Sequence, residues 1–153
     1  MGRPTKRPRP GDVFELRTPD GYAYVQYLGK HPKYGDALLV GPDLHQERAP
    51  VVREAFAGGY VTFYPLTVAV TQELVEWVGH FPPPVVPRRL RRAGKRSARR
   101  VETWVIEDDN GQAVTAKLSQ EDLRLPIAAI WNHEFLIQRL RERWHPSQEG
   151  VDA

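Results

Sequence analysis

Many short β-branched and aromatic segments, cut by turn residues and followed by one clear amphipathic helix, predict an α+β fold. The expected architecture is a bent antiparallel sheet or small β-barrel of about seven short strands with a C-terminal amphipathic helix. Three observations carry this. Tyr60-Val61-Thr62-Phe63-Tyr64 is β-branched and aromatic throughout. Asp109-Asn110-Gly111 is a hairpin turn between apolar segments. Trp131, Phe135, Leu136, Leu140 and Trp144 recur at helical spacing, with Arg139, Arg141, Glu142 and Arg143 on the other face.

In chain order, residues 1–10 place Pro4, Pro8 and Pro10 among cations and predict a flexible basic arm. A single α+β domain is expected over 11–146, with a flexible tail over 147–153. Val13, Phe14 and Leu16 suggest a first strand. Pro19-Asp20-Gly21 is a turn, because proline presets φ and glycine tolerates positive φ. Tyr22 to Leu28 alternates and completes a hairpin, with Tyr22, Tyr24, Gln26 and Leu28 on one face. Residues 31–35 form a loop, and a strand over 37–40 stops at Gly41-Pro42. Residues 51–57 are one or two helical turns ended by Gly58-Gly59, and Pro65 ends the strand over 60–64. A brief helical or irregular connection over 66–72 then leads to a strand over 74–79, with one helix over 66–78 as the alternative. Pro82, Pro83, Pro84 and Pro87 form a stiff linker. Trp104-Val105-Ile106 and residues 114–118 flank the Asp109-Asn110-Gly111 turn. Ser119-Gln120-Glu121-Asp122 resembles a capping box that starts a short helix halted before Pro126. Asn132 is the expected N-cap of the last helix, and Pro146 follows its end.

Charge is distributed unevenly. Arg88, Arg89, Arg91, Arg92, Lys95, Arg96, Arg99 and Arg100 fall within thirteen residues that hold no acid, and Arg3, Lys6, Arg7 and Arg9 stand in the first ten. Without these blocks, 10 Lys/Arg face 19 Asp/Glu, so a body near −9 hides inside a chain of net charge +3. Such asymmetry speaks about partners rather than fold. The eight cations of 88–100 are therefore nucleic-acid-binding candidates, since arginine forks match phosphate geometry and released counterions drive association. The other reading is a solvated hairpin, with strands at 88–92 and 99–101 and charges turned outward or toward the acidic body.

Catalytic chemistry is not indicated. The chain has no cysteine, which removes disulfides, thiolate zinc sites and cysteine nucleophiles together. His133-Glu134 opens like a zinc-protease motif, but Ile137 stands where the second histidine is needed. None of the three serines has a nucleophile-elbow context, and Gly58-Gly59 lacks the sequel of a phosphate loop. Asp12 with Glu15, or Asp108 with Asp109, could pair for acid–base work only in unlike environments within a cleft. No catalytic residue, metal or cofactor is expected. A basic N-terminus without an apolar h-region, and no apolar run of 18 residues, lead to the expectation of a cytoplasmic protein without membrane contact.

Gly11-Asp12-Val13-Phe14, then Asp20-Gly21-Tyr22-Ala23-Tyr24 and Tyr60-Val61-Thr62-Phe63-Tyr64, resemble the immunity protein 26 family of bacterial polymorphic toxin systems over about residues 11–80. The resemblance implies an α+β domain without enzymatic activity that neutralises a toxin by protein–protein contact. The acidic body would complement a basic toxin nuclease. Asp12, Asp20, Glu47, Asp108 and Asp109 are then the protein-binding candidates, taken for their charge and expected exposure. The alternative is a nucleic-acid-binding module working through 88–100 and the N-terminal arm.

Overall fold

A computed structural model describes residues 7–48 and 53–149. Most of the expected basic arm and tail, and the start of the helical turn at 51–57, lie outside the described residues. Strands β1 (Asp12–Thr18), β2 (Gly21–His31), β3 (Gly35–Val40), β4 (Tyr60–Phe63) and β5 (Glu76–His80) form one antiparallel sheet in the order β4-β3-β2-β1-β5. Strands β6 (Leu90–Ala93), β7 (Trp104–Asp108) and β8 (Gly111–Thr115) form a second sheet in sequence order. Helix α1 (Leu66–Thr71) precedes β5, and helix α2 (His133–Arg141) follows β8. The fold is thus α+β with a bent sheet that stays open: β4 and β5, its two edges, do not pair.

The alternation at the start of β2 separates two buried faces. Ala23, Val25 and Tyr27 join Phe14, Leu16, Leu38 and Val40 in the main cluster, while Tyr24 joins Val13 and Phe56 on the opposite side. Helix α2 closes the main cluster with Leu136 and Leu140, flanked by Trp131 and Trp144. Phe135, expected on the same face, is only partly buried. Asn132 caps α2 as expected, its Oδ1 accepting the Phe135 N–H at 2.7 Å.

Residues 126–131 join the two sheets. The Arg91 N–H donates to the Pro126 carbonyl and the Ala128 N–H to the Arg91 carbonyl, along the outer edge of β6. Further on, Ile130 bridges Phe63 and the Trp131 N–H donates to the Phe63 carbonyl, along β4. One segment therefore lines an edge of each sheet.

Both glycines of the opening motif have a steric reason. Gly11 has φ +103° and a Cβ there would lie 2.6 Å from the Phe81 carbonyl; Gly21 has φ +141° and a Cβ would meet the His45 carbonyl at 2.6 Å. At both places a neighbouring backbone passes where only glycine leaves room.

Candidate functional site

The basic run turns inward on the protein's own carboxylates. Arg88 Nε lies 3.0 Å from Asp109, Arg89 Nη1 3.3 Å from Asp122, Arg92 Nε 3.8 Å from Glu107, and Lys95 Nζ 3.6 Å from Glu102. The run comprises Arg88 and Arg89 ahead of strand β6, the strand itself and the loop after it, and β6 pairs with β7 rather than with 99–101. Arg96, Arg99 and Arg100 stand on an exposed turn closed by the Ser97 N–H on the Arg100 carbonyl.

Arg91 corrects the expectation of eight surface cations, because it is wholly buried. Period-two alternation sends Leu90 into one apolar cluster and Arg91 to the opposite face of β6. There its guanidinium lies 4.4 Å from the Trp104 ring centroid and donates to the carbonyls of Glu149 (2.9 Å), Leu123 (3.4 Å) and Pro146. Burial lowers its pKa below the ordinary arginine value, opposed by Glu149 and Asp122.

The acidic candidates do not share a surface. Asp12, expected to be exposed, is fully buried, its carboxylate accepting the Arg9 N–H at 2.8 Å and lying 3.0 Å from His80 Nδ1. Glu15, also buried, binds Tyr24 at 3.0 Å and Arg48 at 3.1 Å. Three residues apart on one strand, the two carboxylates point to opposite faces and share no cleft. Asp20 and Glu47 are exposed near the start of β2, where Arg141 reaches Asp20 at 2.8 Å. Asp108 and Asp109 are exposed near its far end, about 30 Å away along an extended strand.

At that far end a polar cleft of about 400 Å³ lies between His31, Lys33, Arg88, Glu107, Asp109 and Gln112. Glu107 is its buried centre, accepting from Tyr34 Oη, Lys33 Nζ (3.2 Å) and Gln112 Nε2 (3.2 Å). Burial resists its ionisation, but the bonds from Tyr34 and Lys33 and the charges of Lys33 and Arg92 prevail and hold its pKa below the usual carboxylate range. Each charge at its centre meets an opposite charge, so this cluster ties the β2–β3 turn to β7.

A second cleft, of about 440 Å³, has different chemistry. Its walls include Trp131, Phe135 and Trp144, with Ile130, Arg96 and Arg139 beside them. Trp131 stands edge-on to Phe135 (5.1 Å between centroids) and to Trp144 (5.2 Å). The Arg139 guanidinium lies 4.7 Å from the Phe135 centroid and 4.8 Å from that of Trp144, held by Glu142 and Glu149 at 3.3 Å each. Its Nε is buried without a hydrogen-bond partner among the described residues, as is the hydroxyl of Tyr60, whose ring packs on Trp131 and Trp144. Ile130 leaves 61% of its surface in solvent at this rim.

Sequence periodicity assigns these aromatics to the core, and Trp131 and Trp144 are indeed in it, with Phe135 partly buried against it. The cleft itself depends on how 127–131 and the loop carrying Arg96 fold beside α2, which periodicity does not reveal. The one local signal is Ile130-Trp131, a large apolar pair directly before the N-cap.

Among the described residues no cluster of His, Asp and Glu could hold a metal ion, and no helix is long and apolar enough to cross a membrane. No family model, curated protein or solved structure matches the chain.

Proposed function

We propose that the chain is a non-catalytic, single-domain binding protein of the immunity type, acting in the cytoplasm, and that it neutralises a toxin domain by protein–protein contact through the aromatic–arginine cleft. The observation that carries this reading is Ile130, a large apolar side chain 61% exposed beside Trp131, Phe135 and Arg139. Tryptophan and arginine in a partly desolvated pocket are the side chains that dominate protein interfaces, and an apolar rim excludes water around them. The resemblance of the Gly11-Asp12 and Asp20-Gly21 segments to immunity proteins agrees with it.

The nucleic-acid reading draws less support from the geometry. Four cations of 88–100 are paired with carboxylates and Arg91 is inside. A phosphate backbone would have to displace those partners to engage them.

The proposal requires a toxin domain encoded beside this chain, and co-expression with that domain is its test. The wild type should restore growth, folded Ile130→Asp should fail, and Arg88→Gln/Arg89→Gln should protect like the wild type. No protection by the wild type would overturn the immunity reading; full protection by Ile130→Asp would remove the cleft as the contact.

A further inference from the structure

Strand β8 is an unprotected sheet edge. The outer edge of β6 is lined by 126–128 and that of β4 by Ile130 and Trp131. The free edge of β5 carries Glu76 and His80 at its ends. In contrast, β8 reads Gly111-Gln112-Ala113-Val114-Thr115, with neither charge nor proline, and Val114 is 69% exposed. Edges without such guards template pairing with another strand.

The hydrogen-bond phase of this edge follows from its turn. A two-residue turn makes Asp108 and Gly111 a hydrogen-bonded pair, and bonded and non-bonded pairs alternate from there. Gly111, Ala113 and Thr115 therefore direct their N–H and C=O groups to β7, and Gln112 and Val114 direct theirs outward. Neither residue's backbone bonds another segment among the described residues.

We infer that β8 is the pairing edge for a second copy of this chain, antiparallel about a twofold axis through Ala113. In that register Gln112 of one copy meets Val114 of the other, and the outward groups of both form four backbone hydrogen bonds. The two three-stranded sheets become one of six strands, and each Val114 is covered beside the opposing Gln112. Lys117, exposed and without an ion pair among the described residues, falls opposite the Asp109 turn of the other copy, twice by symmetry. This self-complementarity of backbone phase and charge selects a second copy over a foreign strand. The edge is only five residues long, so the dimer belongs to the weak class.

Sedimentation velocity on the full chain reads this directly. The wild type should pass from monomer at about 5 µM to mostly dimer at about 500 µM, the range for a small interface. Val114→Pro removes an outward N–H while sparing the ladder to β7, so it should remain monomeric with an unchanged monomer unfolding midpoint. Lys117→Glu should weaken the dimer about tenfold, and adding Asp109→Lys should restore it by exchanging the charges. A wild type that stays monomeric through this range overturns the inference, even if β8 proves to capture a strand of another protein. A dimer that persists in Val114→Pro overturns it equally, since another surface would then hold it.

Discussion

Arg91 shows how a single side chain can reverse the reading of a charged segment. By composition it is one of eight cations in a polyanion-binding run, yet it sits in the interior and binds three carbonyls from 123, 146 and 149. Those carbonyls belong to two short helical turns and the residue after the second, so Arg91 anchors the C-terminal segment to β6. Removing it takes the donor from the Leu123 and Glu149 carbonyls, each loss costing about 1–3 kcal/mol, while the Pro146 carbonyl keeps the Glu149 N–H at 3.0 Å. Arg91→Ala should therefore lower stability in urea by at least about 3 kcal/mol, and Arg99→Ala, on the exposed turn, by under about 0.5 kcal/mol. Equal effects would place Arg91 at the surface after all. Glu73 and Arg143 have φ of +58° and +55°, where glycine normally stands. Each closes a helix: the residue after it donates to a carbonyl five back, Leu74 to Ala69 and Trp144 to Arg139, and the residue itself donates three back. Arg143→Gly should raise stability by about 0.5–1 kcal/mol in the same assay, because glycine carries no Cβ penalty there. A loss would show that the Arg143 side chain makes a compensating contact.

These two turns also explain which elements the sequence disclosed. Strands β1 to β4, the β7–β8 hairpin and α2 were legible because their apolar periodicity is strong and Gly, Pro or Asn marks their ends. The segment 66–79 was ambiguous because Glu73 ends α1 where a glycine would have announced it; the observed pieces are α1 and β5, not one helix. Strand β6 was legible only as one of two readings of the arginine run, since its burial comes from Leu90 and Arg91 rather than from alternating apolar residues. Trp144 fits the helical spacing of α2 but lies past its end, brought back to the core by the turn at Arg143. Within α2, Leu140 is 3% exposed in the main cluster, so Leu140→Ala should cost about 2–5 kcal/mol in chemical denaturation. A cost below about 0.5 kcal/mol would mean that the helix is peripheral. The aromatic–arginine cleft was the least legible feature, because Arg96, Ile130 and Arg139 come from three places that only the tertiary fold unites.

Across the whole molecule, the acidic body neutralises part of the basic run. Asp109, Asp122, Glu107 and Glu102 take up four of the eight cations that made the run conspicuous. Three histidines add a pH dependence. His31 Nδ1 accepts the Lys33 and Tyr34 N–H groups, His145 Nδ1 accepts that of Ser147, and His133 Nδ1 lies 2.7 Å from the Tyr64 hydroxyl. Burial depresses the pKa of all three below 6.5, with Arg88 and Lys33 adding to it at His31 and Arg124 at His145, against the carboxylates of Asp109 and Glu107 at His31 and of Glu134 at His133. Below pH 6.5 the unfolded chain then binds more protons than the folded one, so stability is present above that value and falls as the pH drops. The slope should reach at most about 1.4 kcal/mol per pH unit for each histidine. Denaturation midpoints that are flat from pH 7 to pH 5 would show that these rings stay open to solvent.

Calorimetric titration of the toxin domain that the proposed function requires into three forms of the protein asks which surface such a partner meets. Contact through the aromatic–arginine cleft predicts that Ile130→Asp weakens binding by about 100-fold or more, near 2.7 kcal/mol. Arg88→Gln/Arg89→Gln should stay within about threefold of the wild type, since those side chains are engaged internally. The opposite ranking, with binding lost in the arginine variant and kept in Ile130→Asp, would contradict the assignment of the cleft and return the basic run to the centre of function.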